Sequence, residues 1–389
     1  MSQPAIVHVT AFYRPHRGGV ENYTANLAAA QAAAGHQVTV VTFNTEGVAE
    51  QELQPDGVEV RRVPVTLRYH KGLYGRALRR ELRALAADAA VFHVHAPFPL
   101  GLETAASVGR KARVPVVATF HGEGRGSSSP LYRILRAGYA WYEKRQLARI
   151  DRAVFLTEGY RESLGLPGRL LAASEVIETG VDTARFRPPK DKEAQQPARA
   201  TGEAFRLLFV GSLVAANRYK GLHILLAALA RLPPDVHLHV IGRGPLVEEN
   251  QALAAELGVA DRVSFRTDVE DDELPAAVRS ADLFVLPSIS GPENGPLVVL
   301  EAMASGVPVL CTRIPGPVEM LRGGELGLLA EPDDAGALAR VIEAARTDPE
   351  RLADLGAKGR AHSVAHHDWS RVAADYLALY DNVRSMTSR

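Results

Sequence analysis

Residues 282–311 read DLFVLPSISGPENGPLVVLEAMASGVPVLC, and their pattern decides the fold class. The apolar run Asp282–Pro287 has the length of a strand, and a Gly/Pro-rich turn follows it. A helix begins near Pro296, since proline suits the first helical position. The apolar run Val307–Cys311 is the next strand. Strand, turn, helix and strand make one βαβ unit, which places both strands in one parallel sheet.

The same alternation extends in both directions. Arg206–Gly211, Val236–Ile241 and Arg262–Phe265 read as earlier strands with helices between them, and the chain from Asp333 is mostly helical, closing with Ser370–Arg384. Toward the N-terminus the strand candidates are Ala5–Thr10, Gln37–Phe43, Val58–Val65, Ala90–His95, Pro115–Phe120, Arg152–Thr157 and Glu175–Glu178. Val20–Ala34 and Leu73–Ala87 are helical stretches among them. Between the halves, Pro188–Ala204 (PPKDKEAQQPARATGEA) is polar, carries three prolines and has no apolar periodicity, the composition of a linker. The expected organisation is two doubly wound α/β domains, 1–187 and 205–369, joined by a linker at 188–204. A C-terminal helix, 370–389, is expected to pack back on the N-terminal domain. Sheets of this kind bind ligands at the carboxyl ends of their strands, where the strand order reverses, so the expected site is a cleft that the two domains face.

Composition narrows the class. The 389 residues contain one cysteine, Cys311, which excludes a disulfide framework and thiolate zinc. Lys and Arg balance Asp and Glu at 45 each, so no overall polycation footprint points to nucleic acid. No apolar run approaches the roughly 18 residues of a membrane span, and the start lacks the basic and apolar regions of a signal peptide. A cytoplasmic protein is expected. The charge is uneven along the chain. Residues 1–187 hold 24 basic against 17 acidic side chains, the remainder 21 against 28. Arg68, Lys71, Arg76, Arg79, Arg80 and Arg83 cluster in one segment with Leu73, Leu78, Leu82 and Leu85 near helical spacing. Two readings stand: a helix that rests on anionic lipid or meets an anionic acceptor, or a solvated surface helix whose leucines face the core.

Chemistry concentrates at the turn quoted above. Glu293 lies just ahead of the helix and Glu301 about two turns in. The N–H groups of a first helical turn favour anions and hydroxyl oxygens. Carboxylates at these positions can accept hydrogen bonds from sugar hydroxyls at Glu293 and from a ribose diol at Glu301.

Glu293-x7-Glu301, followed by Ala-Met-Ala-Ser-Gly306-Val-Pro308, resembles the signature of retaining glycosyltransferases of family 4, whose GT-B fold is α/β with two Rossmann-like domains. Where the family more often has Glu-Pro-Phe-Gly, this chain has Glu293-Asn294-Gly295-Pro296, so Pro296 removes one N–H donor. The resemblance implies that Glu293, Asn294, Gly295, Leu297 and Glu301 hold the donor. Leu208-Phe-Val-Gly211-Ser212, continuing to Arg218-Tyr-Lys220-Gly221, resembles the family's glycine-rich loop, where a basic pair neutralises the donor diphosphate. Lys220 matches the family's lysine. Ser212 stands where the family commonly has arginine, and Arg218 is the nearby cation available to replace it. Gly242-Arg243-Gly244 is placed beside the nucleotide, and Val263–Val269 where the family's base-contacting loop falls, with Thr267 replacing a usual glycine.

On the N-terminal side, Gly18-Gly19-Val20-Glu21 resembles the loop beside the donor diphosphate and the acceptor, with Gly19 on the diphosphate and Gly18 toward the acceptor. Paired glycines let backbone approach a ligand closely. His121, in Thr-Phe-His121-Gly122, matches the histidine near the family's reaction centre. His95 ends a strand on the acceptor side, where a buried, hydrogen-bonded structural histidine is the other reading. Glu178-Thr179-Gly180-Val181-Asp182, with Phe186-Arg-Pro188, resembles the hinge that ends the family's N-terminal domain.

These matches imply transfer of a sugar from a UDP- or GDP-sugar to an acceptor hydroxyl with retention, in the assembly of bacterial glycolipid, polysaccharide or glycosylated metabolites. His121, Glu293 and Lys220 are the candidate catalytic residues. The partners implied are a nucleotide-sugar donor and a lipid-linked, saccharide or small-molecule acceptor, with peripheral contact to anionic membrane at its inner surface and no nucleic acid. No cofactor and no metal are expected, since no Asp-x-Asp motif precedes a sugar-binding turn and the acidic run Asp268–Glu273 suits a helix dipole. A nucleotide-sugar epimerase of the same fold would interconvert sugars without transfer. A non-catalytic partner subunit is the third reading, opposed by the retained Glu293, Glu301 and Lys220.

Overall fold

The computed structural model describes residues 5–16, 18–69, 72–122, 149–166, 168–189, 204–289 and 293–387. They form two compact units: residues 1–180 with 369–389, and residues 181–368. The chain enters the second unit at Val181, upstream of the boundary read from the linker, for a packing reason. Val181 and Phe186 are buried in the second unit's apolar core, and Arg360 donates to the carbonyls of Thr183 and Phe186. Most of the expected linker, 190–203, lies outside the described residues.

The first unit is built on an eight-stranded sheet. Its strands are β1 (Ala5–Val9), β2 (Val38–Asn44), β3 (Gln51–Leu53), β4 (Glu59–Pro64), β7 (Ala89–Ala96), β8 (Val116–Phe120), β9 (Arg152–Phe155) and β10 (Ser174–Val176). They run in the order β10-β9-β8-β7-β1-β2-β4-β3, all parallel except β3, which pairs antiparallel with β4. β1 and β2 are Val-rich and almost wholly buried, as strands covered on both faces must be. The order reverses between β1 and β7. The helix Trp369–Thr387 belongs to this unit. It buries Val372, Ala373, Tyr376, Leu379, Tyr380 and Val383, a stripe at three- and four-residue spacing.

One expected helix is shorter than its periodicity suggests. Leu73 is buried, but in a strand: β5 (Leu67–Tyr69) and β6 (Gly72–Tyr74) form an antiparallel hairpin, and the helix begins only at Arg76. A single leucine fits both periods, and Gly75, extended at the N-cap, holds the helix back to Arg76.

The described residues of the second unit form a six-stranded sheet: β11 (Phe205–Val210), β12 (Val236–Ile241), β13 (Val263–Arg266), β14 (Leu283–Leu286), β15 (Val309–Thr312) and β16 (Leu328–Ala330). All are parallel, in the order β13-β12-β11-β14-β15-β16. Counted within the unit this is 3-2-1-4-5-6, the order of a dinucleotide-binding sheet, and it reverses between β11 and β14. β16, too short to read in advance, closes one edge. No helix among the described residues is long and apolar enough to cross a membrane.

Candidate functional site

In the second unit the reversal point gathers the strongest constellation. The loop after β11 carries Lys220 and the loop after β14 carries Glu293. Lys220 Nζ donates to Glu293 Oε1 at 2.8 Å. The Glu293 side chain is only 2% exposed. Its second oxygen, Oε2, is buried and has no hydrogen-bond partner among the described residues, and the same holds for Asn294 Nδ2 and Ser288 Oγ on that loop. Buried polar atoms are ordinarily partnered, so a cluster of orphans marks a place where a polar ligand completes the bonding.

Two glycines let this geometry form. Gly221 has φ +75°, and a Cβ there would lie 2.0 Å from the Pro287 carbonyl oxygen, so only glycine brings the Lys220 loop against the end of β14. A Cβ on Gly316, the second residue of the helix Pro315–Met320, would lie 1.7 Å from the Glu293 carbonyl oxygen. Tyr219 adds its carbonyl to the Ile289 N–H at 2.8 Å, and its ring lies 5.6 Å from Lys220 Nζ. Burial, then the Glu293 carboxylate, push its phenol well above the ordinary range. Cys311, buried behind Glu293, has its thiol pushed up by burial and by that carboxylate.

Glu301 sits in the second turn of the helix Leu297–Ala304, partly buried. Burial lifts its carboxyl from 4.5 to about 7, with Asp271 adding to the rise and Arg185 opposing it. Gly295 turns the chain at φ +101° into that helix, with Pro296 capping rather than opening it. Gly211, Ser212 and Gly242 line adjoining loops, tied by Gly211 N–H to Ile241 O and Leu213 N–H to Arg243 O. Arg218 is elsewhere engaged. Its guanidinium lies on Glu249, with Nη2 to Oε2 at 2.8 Å, both side chains half exposed.

In the first unit the reversal point is lined with histidines. His8 of β1 and His93 of β7 are register neighbours, and His95 is two residues on. All three are buried. His8 Nδ1 meets His95 Nε2 at 2.9 Å, and His95 Nδ1 meets His121 Nε2 at 3.1 Å. His121, at the end of β8, also lies edge-on to the Tyr23 ring, 4.6 Å between centroids. Burial lowers His8 to about 4 and His121 to about 3, and holds His93 and His95 well below 6.5. All four rings are therefore neutral near pH 7. Ligand atoms of His8, His93 and His95 lie within 4.8 Å of one another. Every ring nitrogen of the three already has a hydrogen-bond partner, so a cation there would break that network. Gly18 is the N-cap of the helix Gly19–Ala33 and Gly19 its first, exposed residue.

Residues 17–185 match the model of Glycosyltransferase Family 4, and residues 190–362 that of Glycosyl transferases group 1. The D-inositol 3-phosphate glycosyltransferase 1 of Catenulispora acidiphila is 32% identical over 93% of this chain and 90% of its own length. The chain is a family 4 glycosyltransferase. It transfers a sugar from a nucleotide-sugar donor to an acceptor. This glycosyltransferase is also similar to the GDP-mannose-dependent alpha-(1-6)-phosphatidylinositol monomannoside mannosyltransferase of Mycolicibacterium smegmatis, 29% identical over 97% of this chain and 98% of the relative. Its two α/β units are those of the GT-B fold. The sucrose-phosphate synthase of Thermosynechococcus elongatus shares that fold with a TM-score of 0.77, at 24% identity over 98% and 100% of the two chains.

Of the residues singled out in the glycosyltransferase's sequence, Lys220 and Glu293 are brought into contact, and so are His95 and His121. Arg218 is not brought onto Glu293. His95, 1% exposed, has both ring nitrogens engaged, by His8 and His121. His8, Gln31, Tyr219 and Gly316 carried no local sequence signal. His8 alternates with Val7 and Val9 in an ordinary buried strand, and the pairing of β1 with β7 shows what it faces. In the basic segment, Arg76, Arg79, Arg80 and Arg83 are exposed while Leu78 and Leu82 face the core. Leu67 and Tyr74 of the adjoining hairpin are 59% and 36% exposed. Lys71 lies outside the described residues.

Proposed function

We propose that this glycosyltransferase takes its sugar from a GDP-sugar of the mannose type and delivers it, with retention, to an inositol phosphate headgroup carried on lipid. The Lys220–Glu293 pair carries the donor half of this reading. A lysine held beside a buried carboxylate whose Oε2 has no hydrogen-bond partner among the described residues can place its charge on a diphosphate while the carboxylate accepts from a sugar hydroxyl. Glu301 is assigned to the ribose, and the loops at Gly211, Ser212 and Gly242 to the nucleotide, with Asn294, Gly295 and Leu297 around the sugar. Gly19 is assigned to the diphosphate. Gly18 and His121 are assigned to the acceptor side, His121 touching the reacting groups. The leaving phosphate takes the acceptor proton in a front-face displacement, so the protein's part is positioning and charge stabilisation. Lys220 supplies the charge that a divalent metal would otherwise supply, and no cofactor is assigned.

The named relatives support mannose and inositol, and the surface supports lipid. Four exposed arginines on one helix, next to exposed Leu67 and Tyr74, combine charge and apolar contact as a peripheral membrane surface does. The cytoplasmic face of an anionic membrane is the assigned location. Thermal unfolding is the first test. A ligand that binds only the folded state raises stability by RT ln(1 + [L]/Kd). GDP, among UDP, GDP, ADP and CMP, is expected to raise Tm equally with magnesium or with EDTA, and a response confined to another base overturns the donor assignment. Co-flotation with phosphatidylinositol-containing vesicles at low salt, lost in the Arg76/Arg79/Arg80/Arg83→Ser variant, tests the membrane half. No flotation at low salt removes it.

A further inference from the structure

The histidines of the first unit belong to a longer chain of buried hydrogen bonds, and a single side chain sets its direction. Gln31, on the helix Gly19–Ala33, is fully buried. Its carbonyl Oε1 lies 2.7 Å from His8 Nε2, and its amide Nε2 lies 3.2 Å from the Tyr380 hydroxyl. The Tyr380 hydroxyl lies 2.6 Å from His93 Nδ1, and His93 Nε2 lies 2.8 Å from Thr119 Oγ1. Thr119 Oγ1 continues to the Tyr376 hydroxyl at 2.8 Å, and that to the Tyr23 hydroxyl at 2.9 Å.

A neutral imidazole has one N–H and one lone pair, so each ring passes direction to the next. A carbonyl oxygen can only accept. His8 therefore carries its proton on Nε2, and its Nδ1 accepts. His95 must then donate from Nε2 and accept at Nδ1. His121 must donate from Nε2, which leaves the lone pair on its Nδ1. On the other arm the Gln31 amide donates to the Tyr380 oxygen, and the Tyr380 proton turns to His93. Every arrow runs one way, from His121 through Gln31 toward Tyr23. Turning the Gln31 amide over would reverse all of them and make His121 Nδ1 a donor.

We propose that Gln31 and His8 are positioning residues which, through His95, lock His121 as the Nε2–H tautomer, so that it meets a substrate hydroxyl as a hydrogen-bond acceptor at Nδ1. The functional half of this rests on His121 touching the substrate as assigned above. The tautomer half does not. Each ring nitrogen between Gln31 and His121 is engaged by a neighbour, so one ring cannot change tautomer alone without setting two N–H groups or two lone pairs against each other.

The tautomers are read directly by long-range 1H–15N correlation spectra of the full-length protein labelled with 15N-histidine at pH 7. His8, His95 and His121 are each expected as the neutral Nε2–H form. An Nδ1–H form at His121, or a doubly protonated ring, overturns the proposal. Gln31→Met removes the carbonyl at similar volume. It is expected to turn His121 into a tautomer mixture and to lower kcat by ~10-fold, with the donor KM within ~2-fold. Thr119→Val cuts the other arm at comparable cost to packing and is expected to leave the His121 tautomer unchanged. An equal shift in both variants would mean that loosened packing, not polarity, is responsible, and would overturn the proposal. The wild-type spectra stand as a test even where Gln31→Met fails to fold. Full activity in His121→Ala would instead remove the substrate role of His121 and leave the tautomer result intact.

Discussion

The two units place polar side chains at the same topological position and treat them oppositely. At the β1/β7 reversal the groups are neutral, buried as far as His95 and half-buried at His121, and partnered to one another from Gln31 to His121. At the β11/β14 reversal the groups are charged, and the buried carboxylate of Glu293 keeps an oxygen without a partner among the described residues. A closed network fixes orientation but has no capacity left for a ligand except at its end. An incomplete one holds free energy in reserve for whatever completes it. The comparison assigns positioning to the first unit and charge to the second, and it ranks the effects of breaking each.

The largest effect is expected at Lys220. Lys220→Met leaves Glu293 as an uncompensated charge in a site 2% exposed. Loss of one partner of a buried pair costs about 3–5 kcal/mol, and loss of the cation facing developing charge lowers kcat by ~10²–10³-fold. Urea unfolding and initial rates measure the two separately. The double variant Lys220→Met/Glu293→Gln is expected to recover most of the stability and none of the activity. Recovery of both would assign the pair to stability alone.

The difference between the units also explains what the sequence disclosed. The Glu293–Glu301 spacing and the Lys220–Gly221 step are local, because each lies on one loop or one helix, and the parallel β11–β15 alternation is written in runs of Val, Leu and Phe. The histidine chain is not local. Gln31 sits on a helix of alanines, His8 in a plain strand, and Tyr376 and Tyr380 read as part of an apolar stripe. Only the β1–β7 register and the packing of two helices over that face bring them together. Gly316 was unreadable for a related reason. Its need for glycine comes from the Glu293 carbonyl, 23 positions earlier in the chain. The helix expected over Leu73–Ala87 begins only at Arg76, because Leu73 satisfies both periods and is taken into β6.

A smaller effect, with a reversal of sign, is expected at Glu301. Its carboxyl titrates near 7 in the folded protein against 4.5 ordinarily, so between those values the folded state holds a proton that the unfolded chain has released. Stability from this group is full below pH 4.5 and is lost as pH rises through 7. Glu301→Gln is expected to raise Tm at pH 8 and to leave it unchanged near pH 4. The same variant is expected to weaken nucleotide binding by ~10–100-fold, the range of a hydrogen bond to a charged group. Weaker binding without the pH 8 gain would mean that burial does not set the protonation of this carboxylate.

The smallest effect is expected at Arg218, and it sharpens the contrast most. Its pair with Glu249 is exposed on both sides, and such pairs contribute little because water and salt screen them. Arg218→Ala is therefore expected to leave stability unchanged and kcat/KM within ~3-fold of wild type, with Lys220 carrying the diphosphate charge alone. Glu249→Gln separates this from the alternative. If Arg218 leaves Glu249 for the diphosphate when the donor binds, freeing it from Glu249 raises donor affinity, and Arg218→Ala lowers it by ~10-fold or more. That outcome would add a second cation to the β11/β14 site. It would also mean that the second unit keeps part of its charge parked on an exposed partner until the donor arrives, a reserve for which the closed network of the first unit has no counterpart.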